Sequence, residues 1–165
     1  MELVGVRVEL PANQPIVLLK ELEGTRYLPI WIGAVEATAI AFALQGVDTP
    51  RPLTHDLFVD VLEGLGVELV AVHVTDLRDG TFFAELQLMQ GERTFTISAR
   101  PSDAIALASR LDGVPILGAE AVLDEAGLEI EDAEDGEDST GDPEEEVRQF
   151  RAFLDDVTPE DFKEQ

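Results

Sequence analysis

Two short segments repeat one chemical theme: Arg51-Pro52-Leu53-Thr54-His55-Asp56 and Arg100-Pro101-Ser102-Asp103. In each, an arginine and a proline stand before a hydroxyl residue and an aspartate. A helix start exposes unpaired N–H groups and partial positive charge, and an arginine beside it adds a fork of donors suited to phosphate or carboxylate. Arg51, Thr54, Arg100 and Ser102 are therefore candidate substrate-binding residues, able as a set to grip successive phosphates. The same residues also read as ordinary helix punctuation, because Ser and Thr cap free N–H groups, Pro tolerates the first turn and Asp complements the dipole. Both readings stand at this point.

His55, one of two histidines, lies between a hydroxyl residue and a carboxylate. An imidazole there can act as a general base near neutral pH or ligate a metal. Glu36, Asp56 and Asp103 supply oxygen atoms of the kind that magnesium or manganese prefers, and such an ion would activate water and neutralise a scissile phosphate. His55, Asp56, Glu36 and Asp103 form the candidate catalytic set, with carboxylates at helix starts also serving as caps. His73 alternates with Val72 and Val74 and reads as a structural histidine.

The elements that must position these residues follow from hydrophobic spacing. Val4, Val6, Val8 and Leu10 alternate as one face of a strand, ended by Pro11 and Asn13. Segments 16–20 and 26–32 flank Glu23-Gly24-Thr25 and complete a meander. Ala37, Ile40, Ala41 and Leu44 recur at helical spacing, which predicts a helix over 34–45 stopped by Gly46. Thr54 is placed to cap a second helix, whose apolar stripe is Leu57, Val61, Leu62 and Leu65. Segments 67–77 and 81–89 form a hairpin about Asp79-Gly80, with Phe82, Ala84, Leu86 and Leu88 on one face. Residues 93–99 add a third strand with Phe95, Ile97 and Ala99 inward. A helix opens at Arg100-Pro101, a short buried strand covers 115–117, and a short helix covers 120–126. The expected class is α+β: a mixed or largely antiparallel sheet with helices packed on it.

Composition narrows the chemistry. The 165-residue chain has no cysteine, which excludes disulfides, thiolate catalysis and Cys-ligated zinc. Eleven Lys and Arg face 35 Asp and Glu, for a net charge of −24. Residues 129–165 hold 16 acids and 3 bases, leaving 19 acids and 8 bases, or −11, for residues 1–128. Such a field repels nucleic acid at long range, so any phosphate chemistry must use a local basic site or a bridging cation. No Walker loop, dinucleotide fingerprint, nucleophile elbow or His-Glu-x-x-His motif occurs. With no basic leader before an apolar run and no stretch of about 18 apolar residues, the chain is expected to be soluble, unprocessed and cytoplasmic, with no membrane partner.

Three regions are expected: an α+β domain over 1–128, an acidic linker over 129–146, and a segment 147–165 in which Phe150, Phe153, Leu154 and Val157 have helical spacing. The linker is too poor in apolar residues to offset its ordering entropy, which predicts disorder. The final segment reads as an amphipathic helix that docks on the domain or on a partner, or as a marginal helix on a tether.

Four motifs then gain significance together: LPIWIGAVEATAIAFAL, RPLTHDL, DGTFFAELQL and RPSDAIALASRLDGVPIL. In this order and spacing they resemble the bifunctional nuclease domain family over roughly residues 1–128. The resemblance implies an α+β fold, a nuclease acting on DNA or RNA, and assembly into a homo-oligomer. Positions matching the family are Glu36, Arg51, Thr54, His55, Asp56, Arg100, Ser102 and Asp103. Under that reading the arginines meet phosphate, His55 is base or ligand, and the acids hold magnesium or manganese. Two alternatives are a non-catalytic oligomeric module whose acidic tail engages a basic partner, and a sensor of small anions or nucleotides.

Overall fold

The computed structural model describes residues 1–9 and 14–129. The expectations for Leu10, for the linker beyond Glu129 and for the segment 147–165 lie outside the described residues. Strands β1 (Glu2–Glu9), β2 (Gln14–Lys20) and β3 (Arg26–Trp31) form the expected meander, and helices α1 (Ala34–Leu44) and α2 (Thr54–Gly64) follow. Strands β4 (Glu68–Arg78), β5 (Thr81–Gln90) and β6 (Arg93–Ala99) form the second antiparallel run. The chain continues through α3 (Pro101–Ala108), β7 (Ile116–Gly118), α4 (Glu120–Ala126) and β8 (Leu128–Glu129). The fold is α+β.

The strands make two sheets: an antiparallel β1-β2-β3-β8 and a mixed β6-β5-β4-β7, in which β7 runs parallel to β4. Two-residue β8 pairs Arg26–Tyr27 with Leu128–Glu129, so the folded unit includes Glu129, which the sequence assigned to the linker. A pair of residues has no periodicity to read. Arg26 ties this end together through Glu21, Glu120 and Asp124 at 2.8–3.0 Å.

Both sheets and helices α1 to α4 contribute to one core among the described residues. Helix α3 sits inside it, with every residue from Ala104 to Ala108 buried, as its nearly continuous apolar run demands. Removing from water an Ile or Leu such as Ile40, Leu28 or Ile105 contributes about 1.5–3 kcal/mol each before entropy is counted. No helix among the described residues is long and apolar enough to cross a membrane.

Three side-chain expectations are corrected. In β1, Leu3 and Val6 pack on the core while Val4 and Val8 are exposed. A bulge between Leu3 and Gly5 inserts one residue and puts Leu3 inward in place of Val4; Val8 is exposed near the end of the strand, and Gly5 adopts φ 150°, open to glycine and strained for other residues. In α2, only Leu62 of the predicted stripe is buried; Leu57, Val61 and Leu65 face outward with Phe58. The helix meets α3 and β4 along a narrow line, and Val59 takes the inward place beside Leu62. On edge strand β6, Phe95 and Ala99 pack inward, but Ile97 is half exposed beside Phe58.

Candidate active site

The first turns of α1, α2 and α3 converge on one cleft of about 630 Å³. Glu36 comes from α1, Thr54 and His55 from α2, and Arg100 and Asp103 from the start of α3. Three helix N-termini thus face a common space, concentrating partial positive charge there. Local sequence explains each entry. Pro101 is compatible with the first turn of α3, leaving Arg100 as the N-cap residue in extended backbone. Gly33 stands before α1, where a Cβ would collide with the Glu36 carboxylate.

Within the cleft four side chains form one connected chain, Glu36–Arg100–Asp103–His55. Arg100 Nη1 donates to Glu36 Oε1 at 2.8 Å, while its Nε and Nη2 donate to the two oxygens of Asp103 at 2.7 and 3.0 Å. Asp103 Oδ1 also lies 3.3 Å from His55 Nε2. Burial pushes the Asp103 carboxyl up, but the bonds from Arg100 and His55 outweigh it and hold the group below its ordinary range. Asp103 first, and then Glu36, raise the Arg100 guanidinium above its ordinary value. With the proton on Nε2 and directed at Asp103, the other ring nitrogen of His55 carries a lone pair that can accept a proton.

The geometry can be set beside known proteins. A family model described as the bifunctional nuclease domain matches residues 17–131. The chain belongs to the bifunctional nuclease domain family. It is 53% identical over 163 residues to an uncharacterized protein of Mycobacterium tuberculosis, covering 99% of this chain and 97% of that protein. It is 33% identical over 109 residues to bifunctional nuclease 2 of Arabidopsis thaliana, covering 64% of this chain and 33% of that protein. Bifunctional nuclease 1 of Oryza sativa subsp. japonica is 27% identical over 121 residues, covering 72% and 36%. The chain spans about a third of the length of these plant relatives. All eight sequence-predicted positions fall within the matched domain.

The bifunctional nuclease fold gathers five of those positions and separates three. Glu36, Thr54, His55, Arg100 and Asp103 line the cleft. Arg51 is exposed and outside its lining, and buried Ser102 lines another cleft with Trp31 and Phe82. Asp56 turns away: one oxygen accepts from Leu53 N at 2.8 Å and the other from Arg110 Nε at 2.5 Å. Those bonds, Arg110 first, hold the Asp56 carboxyl below its ordinary range. Asp56 therefore does the capping expected of Thr54, which is the first helical residue with Leu53 as N-cap. Arg110, only 9% exposed along its side chain, was not singled out from the sequence; its bond to Ala106 O at 2.8 Å shows the i, i+4 relation that was the available hint.

The predicted divalent-cation ligands do not form a cage. Asp56 is committed to Arg110, and Glu36 and Asp103 both hold Arg100. Among the described residues no group of three His, Asp or Glu side chains is gathered to hold a metal ion. This donor set does not fit magnesium or manganese as arranged, because each carboxylate already faces a guanidinium.

Proposed function

We propose that this protein is a nuclease that hydrolyses phosphodiester bonds of DNA or RNA in the cleft at the three helix starts. The observation that carries the reading is the His55–Asp103–Arg100 constellation in a cleft of the bifunctional nuclease domain. Water attacks the phosphorus and gives its proton to the free nitrogen of His55. The P–O bond to the leaving oxygen breaks, and that oxygen takes a proton from the imidazolium. Asp103 orients the ring and stabilises its cationic form, a role familiar from acid-oriented histidine bases. Arg100 and the helix N–H groups face the phosphate as negative charge builds. Glu36 must release one arm of Arg100 for this, so it competes with the phosphate.

The test is cleavage of labelled DNA and RNA by protein freed of host nucleases, with EDTA and with added magnesium or manganese. Cleavage in EDTA is expected. His55→Ala should lower the rate at least about 100-fold without changing the melting temperature. An inactive wild type under every condition, or full activity in His55→Ala, overturns the reading, while cleavage only with added metal overturns the metal-free step.

A second reading, a homo-oligomeric interaction module, has its own support. Phe58, Val61 and Leu65 recur at spacings of three and four on the outer face of α2, the pattern that pairs helices. A second copy of this chain, applying the same face about a twofold axis, is the occupant this reading specifies. Light scattering should then show a dimer that Val61→Asp converts to monomer; monomer at all concentrations would remove this reading.

A further inference from the structure

The cleft has a second wall that the hydrolytic residues do not use. Val35, Ala39 and Phe42 recur at i, i+4 and i+7 on the flank of α1 that borders the cleft, and Leu53 adds to this wall. They are separate from Ala37 and Ile40, which α1 buries in the core. Val35 is 80% exposed, which packing does not explain. Helix α1 therefore carries two apolar faces, and the outer one shares a cleft with Arg100 and His55. A contiguous apolar surface rimmed by polar groups is the composition of a ligand site.

We infer that this cleft takes a single unpaired nucleotide, its phosphate toward Arg100 and His55 and its base against Val35, Ala39, Phe42 and Leu53. The inference rests on the nuclease reading and adds to it a selection for unpaired strands. Size agrees, since a cleft of about 630 Å³ suits a small ligand, whereas bases in a duplex are stacked away from such a wall.

Charge points the same way. A duplex presents one charge per about 1.7 Å of axis and a single strand about one per 3.4 Å. Residues 1–128 carry a net −11 with eight bases, and among the described residues Arg26, Arg78, Arg100 and Arg110 are bound to carboxylates. The cleft lining contains one arginine, itself shared between two acids. Affinity built on neutralising many phosphates is not available to such a surface. Stacking of a base on apolar and aromatic side chains is, and it is open only to an unpaired base.

The experiment uses the full chain with one oligonucleotide sequence carrying 2-aminopurine, single-stranded or annealed to its complement. Binding is read with wild type by rapid-mixing fluorescence in EDTA before turnover, and cleavage is read on the same samples. Single strands should bind and be cleaved at least about tenfold better than duplex, with a logarithmic salt slope near −0.7, the value for one phosphate on a single strand. Phe42→Ala should weaken single-strand binding about tenfold. Val35→Ser, at an exposed position that does not endanger folding, should weaken it severalfold.

Equal handling of single strand and duplex, or unchanged binding in both wall variants, overturns the inference and leaves the nuclease reading intact. Single-strand binding that depends on Phe42 and Val35 in a protein that never cleaves supports the inference and overturns hydrolysis. Neither binding nor cleavage overturns both.

Discussion

The two Arg-Pro helix starts look alike in sequence and have different occupations in the fold. At α3, Arg100 and Asp103 face the cleft and are joined to Glu36 and His55. At α2, Arg51 lies outside the cleft, Asp56 turns inward to Arg110, and Thr54 and His55 are the polar side chains of that segment left in the cleft. One aspartate serves the candidate chemistry and the other holds the helix in place. The difference lies in what the rest of the chain brings to each: Glu36 and His55 to one, Arg110 to the other. A motif at a helix start thus specifies a local geometry whose use depends on distant partners.

Exchanging the two aspartates one at a time is the most severe test of this contrast. Asp103→Asn should lower cleavage about 100-fold, equivalent to about 2.7 kcal/mol of barrier, while leaving the melting temperature nearly unchanged. Kinetics beside a thermal melt would check it, and an active Asp103→Asn protein would reduce Asp103 to a helix-start acid. Asp56→Ala should do the reverse. Loss of the Leu53 cap and an unpaired, nearly buried Arg110 should cost about 2 kcal/mol of stability, measured by denaturant unfolding, with cleavage per folded molecule preserved.

The arginines give a smaller contrast. Arg100→Met should weaken binding of a short single strand about tenfold, and Arg51→Met should leave it within about twofold, as judged by titration. Glu36→Gln sharpens this further: without a competing charge on Arg100, the same strand should bind severalfold more tightly. If Glu36→Gln weakens binding, Glu36 is a ligand contact and not a competitor.

The smallest effect concerns pH. Asp56 and Asp103 both have folded-state carboxyls below their ordinary range, so the unfolded chain binds more protons in the acid region. Their stabilisation is complete above the unfolded carboxyl value of about 3.9 and is lost as pH falls through the lower folded values. Unfolding followed from pH 5 to 2 should show a shallower acid loss in Asp103→Asn and in Asp56→Ala, each by less than about 1 kcal/mol. The exposed edge of both groups keeps the effect small.

Much of the architecture was legible in the residues. The Asp79-Gly80 hairpin, the buried face of β5 and the starts of α2 and α3 follow from turn chemistry, period-2 alternation and Arg-Pro punctuation. The reading failed where one residue changed parity, as at the β1 bulge, and where a helix touched the core along too narrow a line to bury its stripe, as in α2. It also failed for Asp56 and Ser102, whose neighbours in space come from distant parts of the chain.

The sequence by itself therefore determined the α+β elements, the acidic balance, the family, and the residue types at the helix starts, because these depend on short-range spacing or on composition. Tertiary structure alone decided that Glu36, His55, Arg100 and Asp103 meet in one cleft, that Asp56 leaves them for Arg110, and that an apolar flank of α1 borders them. Those outcomes depend on how α1, α2 and α3 pack, which brings together residues 48 to 64 positions apart and has no counterpart in local periodicity.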